Sequence, residues 1–198
     1  FAHEKYQGKL LLRFDDTNPS NEKEEFAEAI RKDLETLGIK PDKIVYTSDN
    51  FKLIESYLEK LLDSGDAYVD NTDVETMREE RWNGIDSKCR KHTPAENKAL
   101  WAEMKKGSKA GQECVVRMRM DMSNPNKCLR DPGLYRCNLT PHVRTGSKFK
   151  VYPTYDFACP IVDAHDGVTH ALRDRQYIDR DPMFEYFQKV MGLRKVYI

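Results

Sequence analysis

The order of the hydrophobic patterns along the chain constrains its fold more than any other feature. A short apolar run, Lys9–Phe14, ends at two aspartates and is followed by apolar residues that recur at helical spacing. Strand, acidic turn and helix form the opening of an α/β unit, in which ligands bind beyond the carboxyl ends of the strands. Helical patterns return after Pro153. We therefore expect α/β segments at residues 1–48 and 154–198, enclosing an α+β insertion at residues 49–153.

Capping residues predict where several helices begin and end. Asn18, followed by proline, is typical of a helix start, and Gly38 of the end of that helix. The apolar spacing within Phe51–Ser64 predicts a second amphipathic helix. Thr72 and Thr93 each stand three residues before a glutamate, which is the pattern of a capping box.

Alternation and short apolar runs predict the strands. Glu113–Asp121 alternates methionine and valine with arginine, which indicates one buried and one basic face. Shorter strands are predicted around residues 129–138, 147–152 and 168–172. A helix is expected from about Arg180.

Charge is distributed unevenly although the formal net charge is zero. Residues 78–150 contain 17 Lys/Arg and 8 Asp/Glu side chains. Such a segment suits a phosphate backbone, with an affinity that falls as salt rises. A solvated lysine-rich face explains the composition equally well.

The cysteines and the termini indicate the compartment and the extent of the chain. Cys114, Cys128 and Cys137 lack the short ligand spacing of a zinc site, so we expect no structural metal and a reducing, cytoplasmic compartment. No run approaches ~18 apolar residues, so no membrane partner is expected. The chain opens at Phe1, within what resembles the end of a helix, which predicts a fragment of a longer protein.

Two residues at predicted strand ends could bind an amino acid. Asp15 offers a carboxylate for an ammonium group, and Arg173 offers a bidentate fork for a carboxylate. An amide opposite Arg173 would leave the guanidinium charge uncompensated. Taken alone, each residue is more readily explained as one partner of an ordinary surface ion pair.

The motifs around these residues resemble those of class I glutamyl-tRNA synthetases of the archaeal and eukaryotic cytosolic type. LRFDDTNP resembles the motif whose first aspartate, here Asp15, binds the amino acid. YPTYDFACPIVD resembles the segment whose second tyrosine, Tyr155, lines that pocket, and Cys159 before proline matches the glutamyl version. Arg173 falls where glutaminyl enzymes carry a smaller, uncharged residue, and Ile198 aligns with a second discriminating position. The resemblance implies a partial Rossmann-like catalytic domain interrupted by an acceptor-stem-binding α+β insertion.

The resemblance also implies contacts with the tRNA acceptor stem. Arg130 and Arg136 fall within the family's RDPxLYR strand, and Pro125 and Lys127 in the loop that approaches the first base pairs. Asp179 falls where the family has an acidic residue near the same pairs. Basic residues here would mostly position phosphates, whereas an aspartate could accept from a base.

ATP and Mg²⁺ are expected as substrate and cofactor of the parent enzyme, with Asp174 as the candidate ATP-ribose contact. The family's HIGH-type and KMSKS-type motifs are expected before Phe1 and after Ile198, so we predict that the chain is inactive alone. We assign no catalytic residue, because the substrate carboxylate itself can attack the α-phosphorus while the protein positions it.

Three other functions remain open on the sequence. Glutaminyl-tRNA synthetase is the nearest, disfavoured by Arg173 and Cys159. The others are a non-catalytic tRNA-binding paralogue and, from the residues without the family, a small-molecule kinase or transferase. Other proteins of a synthetase complex are expected as partners of the parent, through regions outside this chain.

Overall fold

The N-terminal part of the chain is a small parallel unit. The structure is a computed structural model that describes residues 2–198. Helix α1 (Ala2–Tyr6) precedes strand β1 (Leu11–Phe14), which is joined through α2 (Glu24–Thr36) to strand β2 (Lys43–Tyr46). The two strands are parallel, with Phe14 opposite Tyr46 at their carboxyl ends. The predicted strand, turn and helix are therefore present and bring two strand ends together.

Helix α2 begins later than its capping pattern predicted. The Asn18 N–H donates to the Glu22 Oε1 at 2.5 Å, and Lys23 is extended, so residues before Glu24 form a turn. The prediction that Asn18 caps this helix was wrong because the glutamate side chain binds its backbone N–H and holds the turn. The predicted end is confirmed, since Gly38 lies just beyond it at a φ of 70°.

The middle of the chain surrounds a four-stranded antiparallel sheet. Its strands are β3 (Ala67–Asp70), β4 (Val115–Met118), β5 (Gly133–Cys137) and β6 (Val151–Pro153), in that spatial order. The helices that accompany them are α3 (Phe51–Ser64), α4 (Val74–Asn83), α5 (Pro94–Lys106) and the single turn α6 (Lys109–Gln112). The bounds predicted for α3 are confirmed.

One of the two predicted capping boxes is present. Thr93 accepts from the Glu96 N–H, and the Glu96 carboxylate accepts from the Thr93 N–H at 2.7 Å, which fixes the start of α5. Helix α4 is capped instead by Asp73, which accepts from the Thr76 N–H at 2.9 Å. The prediction for Thr72 was wrong because its backbone N–H binds Asp70 in a turn before the helix.

Strand β4 does not have the exposed basic face that alternation predicted. Arg117 is 1% exposed, and its guanidinium donates to Asp70 on the neighbouring strand at 2.6 Å. It also donates to the Asp131 carbonyl at 2.9 Å. An internal partner therefore neutralises this arginine, and the basic composition of residues 78–150 overstates the charge available to a polyanion.

The C-terminal part packs against the same core. It contains α7 (Tyr155–Asp166), a 3-10 segment (Arg175–Arg180) and α8 (Asp181–Val190). The strand predicted at 168–172 is reduced to a single parallel bridge between His170 and Tyr197. One apolar core runs from α3 through the sheet into α7 and α8; among its members are Ile54, Leu58, Val116, Leu134, Tyr152, Phe157, Ile161 and Phe187. The core thus crosses residue 153, and the proposed domain limits stay a prediction.

Residues 2–198 contain neither a membrane-spanning helix nor a cluster of metal-ligand side chains. Within residues 2–198 no helix has the length and apolar character needed to cross a membrane. In the same residues, no three His, Cys, Asp or Glu side chains group as metal ligands would, and all five cysteines are free.

Candidate functional site: an amino-acid pocket and a neighbouring basic loop

Asp15 lies where the parallel strands end. It directly follows β1, and the Thr47 hydroxyl, directly after β2, donates to the Asp15 Oδ1 at 3.0 Å. The Asp15 side chain keeps access to solvent although protein surrounds it on most sides. Desolvation raises its pKa to about 6, against the lowering effect of the Thr47 hydrogen bond and of Arg13. Because desolvation disfavours the charged form of Asp15, a cationic ligand would stabilise that form.

The neighbouring Asp16 points towards the insertion rather than the pocket. Its Oδ1 accepts from the Ser48 N–H at 2.8 Å, and its carbonyl lies 2.9 Å from the His142 Nε2. Arg144, two residues further on, donates to Asp49 at 2.8 Å. These contacts hold the acidic turn against the insertion.

The first two turns of α7 lie beside Asp15. The Cys159 Sγ lies 3.9 Å from the Asp15 Oδ1, and Cys159 is buried in a small apolar cluster with Phe184 and Val196. Tyr155 is one helical turn earlier. Burial raises the pKa of Tyr155, and the nearby Cys159 thiol and Asp15 carboxylate raise it further. Tyr155 is therefore a neutral hydroxyl close to Asp15.

Arg173 approaches the other side chains of this region. Its guanidinium carbon lies 5.7 Å from the centre of the Tyr155 ring and 5.3 Å from the centres of the Tyr177 and Phe184 rings. Only 9% of its side chain is exposed. Tyr155 thus contacts Arg173, and the Asp15 carboxylate is close enough to raise the pKa of Tyr155. The structure therefore brings Asp15, Tyr155, Cys159 and Arg173 close together.

The charge of Arg173 is only partly satisfied by the protein. Its Nη1 donates to the Asp181 Oδ1 at 3.3 Å, and its Nη2 lies 3.9 Å from the Asp156 Oδ1. The Arg173 Nε and the Asp156 Oδ1 are buried and have no hydrogen-bond partner among the described residues. An unpartnered buried donor on a guanidinium favours an additional acceptor.

Ile198 and Asp174 line a small cleft next to Arg173. Its volume is about 140 Å³, and Asp181 lies on its rim. Asp174 is exposed, and its Oδ1 accepts from the Gln176 N–H at 2.9 Å, which caps the following 3-10 segment. The structure therefore places both residues beside the predicted pocket and gives Asp174 a capping contact.

Several residues of the site were not anticipated from the sequence. Thr47, Asp156 and Asp181 contact the predicted pair of charges. Asp156 lies within the YPTYDFACPIVD motif but was not singled out there, and the other two belong to no motif named above. Arg13 binds Asp163 and also donates to Asp166 at 2.7 Å, which ties β1 to α7. A charged residue inside a short apolar strand was the available signal for the Arg13 contact.

Three of the predicted acceptor-stem residues lie on one surface. Pro125 and Asp179 are exposed, and Lys127 is partly exposed. The Asn126 Nδ2 donates to the Asp179 carbonyl at 2.7 Å, which joins the two segments that carry them. The structure thus groups Pro125, Lys127 and Asp179 around one hydrogen bond.

The two predicted arginines are engaged within the protein. Arg130 donates to the Arg81 and Trp82 carbonyls, at 3.0 and 2.7 Å, and so caps the end of α4. Arg136 is half-buried and donates to the Pro153 carbonyl at 3.3 Å, and burial lowers its pKa. Both arginines therefore bind backbone carbonyls of the protein itself, whereas Lys127 lies in a loop that is partly exposed.

Comparison with known sequences identifies the family. Residues 1–198 match the family described as "tRNA synthetases class I (E and Q), catalytic domain". The chain belongs to this family. Among its relatives, this synthetase chain is 54% identical over 193 residues to the mouse "Bifunctional glutamate/proline--tRNA ligase", covering 98% of the chain and 13% of that protein. It is also 54% identical over 194 residues to the Schizosaccharomyces pombe "Probable glutamate--tRNA ligase, cytoplasmic", covering 98% of the chain and 27% of that protein.

Solved structures share the fold of this class I synthetase chain. A glutamate tRNA ligase from Elizabethkingia meningosepticum, solved in complex with its amino acid, superposes with a TM-score of 0.68 at 18% identity. The match covers 96% of this chain and 42% of that one. The predicted α/β class and the class I synthetase fold are confirmed. The chain spans less than a third of the length of the two relatives named above.

Proposed function

We propose that this chain carries the amino-acid pocket and the acceptor-stem-binding insertion of a cytoplasmic glutamate–tRNA ligase. The family to which it belongs acts on ATP, an amino acid and tRNA. The relatives quoted above are named for glutamate, and the yeast protein also for the cytoplasm. The observation that carries the proposal is the approach of Arg173, with its unpartnered Nε, to the Tyr155 ring beside Asp15. Association with further synthetases stays a prediction.

In this proposal the two charged residues bind the two ends of glutamate. The Asp15 carboxylate binds the substrate ammonium, which favours the charged form of a group whose pKa is raised to about 6. Tyr155 positions the substrate between Asp15 and Arg173. Cys159 and Ile198 complete the walls of the pocket as apolar contacts.

Arg173 reads the side-chain carboxylate. Its 3.3 Å contact with Asp181 is longer than an ideal charged hydrogen bond, so a substrate carboxylate can replace Asp181 as the better acceptor. Glutamine would present an amide to the same guanidinium and leave its charge without a counter-ion. Each charge-assisted hydrogen bond contributes roughly 1.5–3 kcal/mol, which corresponds to a preference on the order of 10- to 150-fold.

ATP and tRNA bind at the exposed sides of this pocket. The α-carboxylate of glutamate attacks the α-phosphorus of ATP, and pyrophosphate leaves. The terminal hydroxyl of tRNA then attacks the glutamyl carbonyl, and AMP leaves. Asp174 is the proposed ribose contact, and Mg²⁺ is proposed only as the ion that accompanies the ATP phosphates. Pro125, Lys127 and Asp179 are the proposed acceptor-stem contacts. Arg130 donates to the Asn124 carbonyl at 2.7 Å and so holds the loop that carries Pro125 and Lys127, and Arg136 stays a predicted contact.

Pyrophosphate exchange in the full-length protein tests the specificity. With and without tRNA, exchange should depend on glutamate in preference to glutamine. Arg173→Gln should lower kcat/KM for glutamate on the order of 10- to 150-fold and leave glutamine nearly unchanged. The matched control Arg78→Gln removes an exposed arginine of α4 and should change neither value.

Each rival function predicts a different result. A preference for glutamine would identify a glutaminyl-tRNA synthetase and contradict the role given to Arg173. Salt-sensitive tRNA binding without exchange would indicate a non-catalytic tRNA-binding paralogue. ATP turnover that needs neither amino acid nor tRNA would favour a kinase or transferase.

A further inference from the structure

The exposed indole of Trp82 is the largest apolar side chain of the basic middle that takes no part in the core. It lies near the end of α4 and is 68% exposed, and its neighbour Ile85 is 54% exposed. The other tryptophan, Trp101, is 3% exposed and donates to Glu59 at 3.1 Å. An indole can bury 150–250 Å² against a partner, so the exposed Trp82 ring offers a large apolar contact at this surface.

A cation lies directly against this ring. The Lys127 Nζ is 2.8 Å from the centre of the Trp82 ring. Lys127 is also one of the residues proposed above to meet the acceptor stem, and Pro125 and Asp179 lie on the same surface. An aromatic ring interleaved with a lysine is the arrangement by which proteins bind single-stranded nucleic acid, with the ring stacking on a base and the cation meeting phosphate.

The support under Trp82 is rigid. Arg130 donates to the Arg81 and Trp82 carbonyls, and Arg81 in return donates to the Arg130 and Lys127 carbonyls at 2.9 and 3.3 Å. Gly84, which follows the helix at a φ of 71°, has no room for a side chain, since a Cβ would lie 2.7 Å from the Met122 carbonyl oxygen. The ring and the lysine are therefore presented by two segments that hold each other in place.

We propose that Trp82 is a stacking platform for an unpaired nucleotide at the single-stranded end of the tRNA acceptor arm. The inference rests on the proposed function, because the tRNA comes from there, and it adds a contact that the predicted acceptor-stem residues do not include. An unpaired base is the favoured occupant because a base inside a duplex has both faces already stacked. Lys127 then serves both partners, since it contacts the ring and faces the phosphate of the stacked nucleotide.

Tryptophan fluorescence of the 198-residue chain tests the stacking directly. An RNA hairpin with the sequence of an acceptor stem and a single-stranded 3′ end should quench the emission of exposed Trp82, whereas the same hairpin made blunt should quench it little. Trp82→Phe keeps an aromatic face but removes the reporter, so it should bind nearly as well and show no quenching. In that variant the remaining emission comes from buried Trp101, which also reports that the fold is intact.

Affinity for the overhanging hairpin gives the second readout. Trp82→Ala should weaken binding roughly five- to 150-fold, the range for loss of one base–aromatic stack. Val74→Ala is the matched control, because Val74 is 61% exposed at the other end of the same helix and should leave affinity unchanged. Lys127→Ala should lower the slope of log affinity against log salt by about one.

The possible results separate the inference from the function on which it rests. Salt-sensitive binding that Trp82→Ala leaves unchanged, or equal quenching by the overhanging and blunt hairpins, would overturn the stacking role and leave the proposed tRNA ligase standing. A folded chain with no salt-sensitive affinity for either hairpin would contradict the acceptor-binding role of the insertion, and the stacking role with it.

Discussion

Replacing Asp131 by alanine should destabilise the fold because it removes a buried carboxylate that accepts three hydrogen bonds. Asp131 is fully buried, and its carboxylate accepts from the Tyr68 hydroxyl at 2.8 Å, the Arg90 guanidinium at 2.8 Å and the Met120 N–H at 2.7 Å. Alanine would leave the Tyr68 and Met120 donors unpaired, at roughly 1–3 kcal/mol each. Arg90 keeps the Met120 carbonyl and Asp86 as acceptors, so the expected loss is that of the two unpaired donors, about 2–6 kcal/mol.

Two further variants make the expectation specific. Asp131→Asn keeps one acceptor oxygen but turns an amide donor towards another donor, so it should lose roughly 1–3 kcal/mol. Asp86→Ala removes a different partner of the same Arg90, at 3.3 Å but with 66% of the side chain exposed, and should lose at most about 1 kcal/mol.

Urea unfolding, followed by circular dichroism, measures all three free energies of unfolding. From most to least destabilised, we expect the order Asp131→Ala, then Asp131→Asn, then Asp86→Ala. If Asp131→Ala lost no more than Asp86→Ala, burial and hydrogen bonding of the carboxylate would not explain its role.

Three other perturbations test separate parts of the structure. The pKa of Asp15 is raised to about 6 in the native state, which therefore holds this proton up to about pH 6. The contribution of Asp15 to the free energy of unfolding is thus fully present below the ordinary aspartate pKa. It declines as pH rises through about 6. In the proposed function, glutamate binding needs the charged form of Asp15. The dissociation constant for glutamate in the full-length protein, measured calorimetrically, should therefore rise as pH falls below 6, and Asp15→Asn should abolish both the binding and this pH dependence. Thr93→Ala should lose about 1 kcal/mol of stability in urea unfolding through the capping box, and an unchanged midpoint would contradict that role. Gly111→Ala should lose roughly 1–3 kcal/mol because its Cβ would lie 2.3 Å from the Glu103 carbonyl oxygen, whereas Gly133→Ala meets nothing closer than 3.5 Å; equal thermal midpoints for the two would refute the packing argument.

Local signals were sufficient where the decisive partner is close in sequence. The bounds of α3 and the capping box at Thr93 follow from spacing within a few residues, and the structure confirms both. The start of α2 was mispredicted although its rival is also local, because the Glu22 side chain competes for the Asn18 N–H. Capping rules rank residue types but do not show which of two neighbouring hydrogen bonds forms.

The charged residues of the insertion show the limit of composition. Arg117 and Arg130 count equally towards a basic segment, yet Asp70 and backbone carbonyls occupy their guanidinium groups. Lys127 and Trp82, which lack such partners in the core, remain on the surface. Whether an arginine is surface charge or internal support depends on strand pairing and on loops that are distant in sequence.

The sequence by itself determined the α/β order of elements and the motifs that place Asp15, Tyr155, Cys159 and Arg173 in one family. The element order and the motifs depend only on residue type and on spacing along the chain, so they can be read without knowledge of contacts. Only the tertiary structure decided that Tyr155 lies beside both charges and that Arg173 keeps an unpartnered donor. Those properties arise from side chains as far as 144 positions apart, and desolvation and charge at such contacts have no trace in local pattern.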